Sequence, residues 1–322
     1  MRVNDFSALC ELRLRSLKVL NIRDVKKVIE SEIATLNDVL TIINGYDVVK
    51  CLYDYIKLDE RLSVNTIYAE LCKCWINELL SIVGNASADL IKFVKTYLTK
   101  YAIYTLVDSI KYLQVGGFEK PRSVFKCLNE LLNTDDVSDV IEVLRNCKEF
   151  NNSILTEVLY SYINHKLDGI DLGRLEMEFN DHYWNNLISD CSKLVDSIKL
   201  RHVLLTLRDF HIFDTSFKRK LLRGEDTDEL LRKYDYSIYR FVVSNLNINL
   251  YDYVSNVFKY ILTTSSLKYS PLSYDVLLHY LLIKDWEAIT MSYIIYSFTN
   301  NLGQTYVKNS IKALVDVYGS SR

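Results

Sequence analysis

The run Asp135-Asp136-Val137-Ser138-Asp139 is the part of the chain best equipped for chemistry. On a helix its first and last carboxylates share one face, and such a cluster can hold Mg²⁺ bridging a diphosphate. That chemistry would be a Mg²⁺-dependent isoprenoid diphosphate synthase, an all-helical enzyme class that pairs this motif with a second metal motif. The other acidic cluster, Glu225-Asp226-Thr227-Asp228-Glu229, has different spacing. Both clusters also read as helix starts, where carboxylates cap the backbone and favour the positive end of the helix dipole. We prefer that reading and keep the synthase as the alternative function.

The remaining reactive residues form no recognisable site. Seven cysteines are scattered along the chain, and Cys72-Lys73-Cys74 is the one close pair. It has neither a matching Cys pair nor a nearby His to complete a metal site, so it reads as two thiols on a helix. The odd count and irregular spacing suggest no disulfide framework and fit a reducing cytosol. The five histidines, at 165, 182, 202, 211 and 279, make no HxH or HExxH pattern and read as partly buried structural imidazoles. No GxxxxGK[ST], GxGxxG or GxSxG run occurs, which excludes nucleotide and serine chemistry by those routes. The expectation is therefore no catalytic residue, no metal and no cofactor.

The elements that would carry these residues are helices. Apolar residues recur in steps of three and four from Leu172 through Leu175, Phe179, Tyr183, Leu187, Cys191 and Leu194 to Ile198, predicting one amphipathic stripe of seven turns. Leu250, Val254, Val257, Phe258 and Ile261 repeat the pattern. Asp89 to Leu113 is long and mostly apolar, with Lys92, Lys95, Lys100 and Lys111 as its exposed points. Gly116-Gly117 closes that helix, and Pro121 is expected to open the next. The segment Ser237–Val243 has strand-like composition, but one such segment cannot build a sheet, so it is read as helix.

Composition agrees. Nine Gly and two Pro in 322 residues are too few for the turns of an all-β fold. They also leave no flexible linker, so any domains pack closely. The net charge of −2 provides no global field for nucleic acid. No apolar run approaches the ~18 residues of a membrane span, and the first residues lack a signal-peptide core. A soluble or peripheral protein is expected.

Three long helices end in a similar way. They run through Ala102, Thr105 and Lys111 to Gly116; through Lys199, His202 and Arg208 to about Phe213; and through Glu287, Thr290 and Tyr296 to about Gly303. These segments resemble the thrice-repeated helix of the C-type subunit of the archaeal A/V-type ATP synthase, a family related to the d-type subunit of vacuolar ATPases. The family pattern there is roughly D-x-x-N-L-x-x-x-L-R-x-x-x-x-G. Glu11-Leu12-Arg13-Leu14-Arg15-Ser16-Leu17 resembles the family's opening helix, and Leu36–Tyr46 its Leu-rich helix ending in Tyr. Pro271–Glu287, with Tyr274, Lys284, Asp285 and Glu287, resembles the third copy. The first copy departs at Ala102 and Thr105, the second at Lys199, His202 and Phe213, and the third at Thr290 and Tyr296.

The resemblance implies an all-α funnel of three similar helical units with pseudo-threefold symmetry, divided here at 1–117, 118–213 and 214–322. It implies a non-catalytic socket in the central stalk. The partners would be the D- and F-type axle subunits and the membrane proteolipid ring, with no nucleic acid and no small-molecule substrate. The place would be the cytoplasmic face of the cell membrane. The residues it marks for the rotor interface are Lys111, His202, Arg208, Lys284, Asp285 and Glu287.

Overall fold

The computed structural model describes residues 3–20, 22–30, 35–55, 63–116, 121–194, 198–234, 255, 259 and 273–300. Helix accounts for 81% of them and no strand occurs among them, so the class is all-α. The one β-type pairing among them is an isolated bridge between Asp136 and Lys166. The segments Ser237–Val243 and Leu250–Ile261, as well as Gly117, Pro271 and Gly303, lie outside the described residues, apart from Ser255 and Lys259.

Two compact units divide the chain. One comprises Met1–Ala8 with Cys72–Arg201, the other Leu9–Leu71 with His202–Arg322. Helix α1 (Val3–Ser16) begins in the first unit and continues into the second.

The first unit is organised by α6 (Ala88–Val115), 28 residues long, which packs along α9 (Leu172–Cys191). Helix α6 forms because nothing breaks it. Ser87 caps its start by accepting the Leu90 N–H, and Gly116, at φ 62°, closes it in a conformation that suits glycine. Asp5 of α1 is buried and accepts both the N–H and the hydroxyl of Ser87, so the cap is itself held. The α9 stripe is buried as its spacing predicts, through Leu175, Phe179, Tyr183, Leu187 and Cys191. It does not run seven turns: α9 ends at Cys191, and Ile198 is 86% exposed at the start of the next described helix.

Between α6 and α9 the chain makes a 3-10 helix (Lys126–Asn133), α7 (Val137–Asn146) and α8 (Ser153–Leu159). Pro121 does not open a helix; regular structure resumes at Lys126. A disulfide joins Cys127 to Cys147, and Cys51 and Cys74 are also disulfide-bonded. The expected set of free thiols therefore shrinks to Cys10, Cys72 and Cys191. Sequence spacing missed these bonds because the chain path, not residue separation, sets which sulfurs meet.

In the second unit, α2 (Ile22–Glu30) packs on α3 (Leu36–Ile42), and α3 packs on α12 (Asp275–Thr299). Helices α4 (Asp47–Tyr55) and α5 (Val64–Val83) follow in the chain, the latter passing into the first unit at Cys72. A reciprocal Thr35–Asp38 capping box starts α3. Helix α12 is buried on all sides over most of its length, which makes it the core helix of its unit. Helix α10 (Ile198–Arg223) does not stop near Phe213. Phe213 and Phe217 continue its buried face, and the helix ends at Gly224, φ 67°. The short α11 (Asp228–Tyr234) follows, with Asp228 and Glu229 in its first turn as the acidic run predicts.

Candidate functional site

The aspartate run lies at the start of α7. Asp136 occupies the N-cap position in extended conformation and Asp139 lies in the first turn. Asp135 and Asp139 are exposed. The backbone here is pinned: the Leu167 N–H donates to Asp135 O at 3.3 Å, and the Val137 N–H donates to His165 O at 3.5 Å. These carboxylates are thus solvated at the positive end of a helix, where their charge stabilises the first turn. Among the described residues, no group of three or more His, Cys, Asp or Glu stands placed to hold a metal ion.

The six residues marked for an interface separate into two sets. Lys284 and Glu287 come together inside the second unit, each 2% exposed. Lys284 Nζ donates to Glu287 Oε2 at 2.8 Å. The Leu20 backbone N–H donates to Glu287 Oε1, also at 2.8 Å. One turn of α12 places the two side chains on the same face, because residues three apart are neighbours on a helix. Both carboxylate oxygens are engaged, so Glu287 ties α12 to the α1–α2 turn. Neither side chain, of the two expected at a rotor interface, is exposed in this packing.

The other four do not join that pair. Lys111 on α6 and His202 on α10 are exposed. Arg208 is half-buried and pairs with its neighbour Asp209 at 3.2 Å. Asp285 is half-buried beside the buried turn of α12.

Around the Glu287 tie the second unit carries further polar structure. The Tyr46 hydroxyl donates a short hydrogen bond to Asp24 Oδ2, and Lys27 Nζ reaches Asp24 Oδ1 at 2.7 Å. Burial, the Asp24 bond and the negative charges of Asp24 and Glu287 push the Tyr46 phenol up to about 12. On α10, burial and the nearby Lys259 push His211 down to about 4, with Asp214 opposing, so this imidazole is neutral at physiological pH. His182, by contrast, is exposed, with Glu157 at 3.9 Å, and His165 is exposed against the edge of Tyr162. The expectation of partly buried imidazoles fails for His165, His182 and His202.

The first unit contains a polar group that periodicity alone did not single out. Asp190 lies within the apolar face of α9 and its side chain is 3% exposed. It accepts from Thr96 Oγ1 at 2.9 Å, from Lys193 Nζ at 2.8 Å and from Lys92 Nζ at 3.2 Å. Thr96 in turn accepts from Asn151 Nδ2 at 3.1 Å, which brings the loop before α8 onto α6. Burial alone would raise the Asp190 carboxyl. The hydrogen bonds from Lys193, Thr96 and Lys92 outweigh it and hold the group below its ordinary range. The signal was present: an acid three residues after Leu187 and one before Cys191 falls on the buried side of the stripe.

No helix among the described residues is long and apolar enough to cross a membrane. The shielded charges at Asp190 and at Lys284–Glu287 each join a helix to a neighbouring chain segment, with their polar atoms spent on those ties. A scan against protein-family models and a search of curated proteins both find no match for this chain.

Proposed function

We propose that the chain is the non-catalytic socket of a rotary A/V-type ATP synthase. In this reading it joins the D- and F-type axle subunits to the membrane proteolipid ring on the cytoplasmic face and transmits torque during ATP synthesis coupled to ion transport. Its body is a funnel of three helical units with pseudo-threefold symmetry. The observation that carries the reading is one of length. The segments that resemble the family's repeat fall on α6, α10 and α12, of 28, 26 and 25 residues, the longest helices among those described. A torque-bearing spacer needs stiff members, and an unbroken helix of that length supplies one. Helices tied by buried polar bonds, at Asp190 and Glu287, suit a body that must keep its shape under load.

Lys111, His202, Arg208 and Asp285 are the interface candidates, with Lys284 and Glu287 acting inside the body. A joint that does not slip needs more than ~1,000 Å² of contact, spread over several elements. Purified chain mixed with axle subunits should co-elute in size-exclusion chromatography and bind by interferometry. The double variant Lys111→Glu/Arg208→Glu should fold normally by circular dichroism and bind more weakly. Wild-type protein that binds neither axle subunits nor ring would overturn the socket.

A further inference from the structure

Helix α10 carries seven basic and two acidic residues, a formal charge of +5 in a chain whose total is −2. The remainder of the chain is therefore acidic, and the positive charge is local. It is also ordered. At ~100° per residue, Arg208, Ile212, Thr215, Arg219, Leu222 and Arg223 fall within an arc of ~100° along ~22 Å of helix. Neither Asp209 nor Asp214 falls in that arc. The opposite face is the buried one, with Leu207, Phe210, Phe213 and Phe217. On the outward face Ile212 is 46% and Leu222 65% exposed, and Arg219 and Arg223 are exposed. None of the three arginines is without a partner; Arg208 has Asp209 at 3.2 Å and Arg223 has Glu225 at 3.6 Å. Those pairs are at the surface, where such contacts are weak and a phosphate can replace them.

We propose that the C-terminal half of this face of α10 docks on an anionic phospholipid surface, with the Arg219 and Arg223 guanidinium groups on headgroup phosphates and Ile212 and Leu222 in the headgroup–acyl boundary. The charges within the arc are all arginines, whose planar fork matches phosphate oxygens, while Lys218 and Lys220 flank it. A basic helix face interleaved with aliphatic side chains is the composition that binds anionic bilayers. A nucleic-acid backbone offers the same phosphates but nothing for the two aliphatics. The inference is separate from the socket reading, because its test contains no rotor component.

The full chain would be sedimented with vesicles of phosphatidylcholine alone and of phosphatidylcholine mixed with phosphatidylglycerol. Binding should require the anionic lipid and weaken as salt rises. Arg219→Gln/Arg223→Gln should lower partitioning at least tenfold, given what each cation near such a surface contributes. Ile212→Ser/Leu222→Ser should lower it less, and a Trp placed by Leu222→Trp should be quenched by brominated lipid. Circular dichroism confirms that each variant is folded. Equal binding to both vesicle types, or undiminished binding by the folded arginine variant, would overturn the proposal. Retention on RNA or on an acidic peptide without vesicle binding would overturn it too, and would assign the face to that other partner.

Discussion

Asp190 in the first unit and Glu287 in the second are both buried carboxylates facing lysine ammonium groups, yet they are built on different terms. Asp190 has its oxygens inside and its cations outside: Lys92 and Lys193 have side chains 50% and 47% exposed. Each lysine keeps much of its hydration while its tip reaches the carboxylate. At Glu287 the ammonium is inside as well, with Lys284 and Glu287 side chains 2% and 3% exposed. Both members of that pair have given up water. In return they have their mutual bond, the Leu20 N–H and the Tyr280 ring, whose centroid is 6.0 Å from the ammonium. The same pair of charged groups therefore makes a forgiving contact in one place and an unforgiving one in the other. Solvent access of the cation decides which.

The largest effect should come from breaking the closed pair. Glu287→Ala leaves Lys284 charged and buried and the Leu20 N–H without its acceptor. The expected loss is about 3–5 kcal/mol of unfolding free energy, read from the midpoint of a denaturant titration. Lys284→Met combined with Glu287→Gln removes both charges and keeps an oxygen for Leu20. It should recover most of that loss; a double variant as unstable as Glu287→Ala would show that charge burial is not the cause.

Next comes the covalent tie in the first unit. Cys127 and Cys147 are 20 residues apart, and closing a loop of that size restricts the unfolded chain. Cys127→Ser/Cys147→Ser should cost about 3 kcal/mol in the same assay. Peptide mapping without reductant should find the bond in the wild-type protein.

A smaller loss is expected at Asp190. Asp190→Ala leaves the Thr96 hydroxyl proton without its acceptor but lets both lysines return to water, so about 1–3 kcal/mol is expected. The carboxyl is held below its ordinary range in the fold, so its contribution is complete above the unfolded value near ~4. It is lost as pH falls through the lower folded value. The stability gap between wild type and Asp190→Asn should hence close in acid and stay constant from mild acid to neutral pH. A gap that closed on going alkaline would refute the assignment.

The subtlest effect is at Tyr46. Its phenol is raised to about 12, so the native state resists ionisation that the unfolded chain accepts near ~10. The stability it contributes is complete below that unfolded value and is lost as pH rises towards about 12. Ultraviolet titration should show the late-ionising tyrosines, which include Tyr183, reduced by one in Tyr46→Phe, with neutral-pH stability changing far less than in the other variants.

These contrasts bear on what could be read in advance. The helical class was legible, because periodicity of three and four is a local property of the chain and so few Gly and Pro interrupt it. The α9 stripe from Leu175 to Cys191, the Gly116 stop and the acidic starts of α7 and α11 follow from the same local rules. Ends were less secure. Helix α10 runs ten residues past Phe213 because buried Phe217 continues its face and no breaker appears before Gly224.

What the sequence by itself determined is the helical class and the apolar stripe of a helix such as α9, since backbone propensity and side-chain spacing act over a few turns. Tertiary structure alone decided the meaning of the charged and sulfur-bearing residues. Lys284, Asp285 and Glu287 look alike as letters. Packing buries the first and third as a tie and leaves the second half-buried. Cys127 meets Cys147, and Asp190 meets Thr96 from 94 residues away, because the path of the chain brings them together. The physical reason is that desolvation and contact depend on what lies across the fold, and no local pattern records that distance.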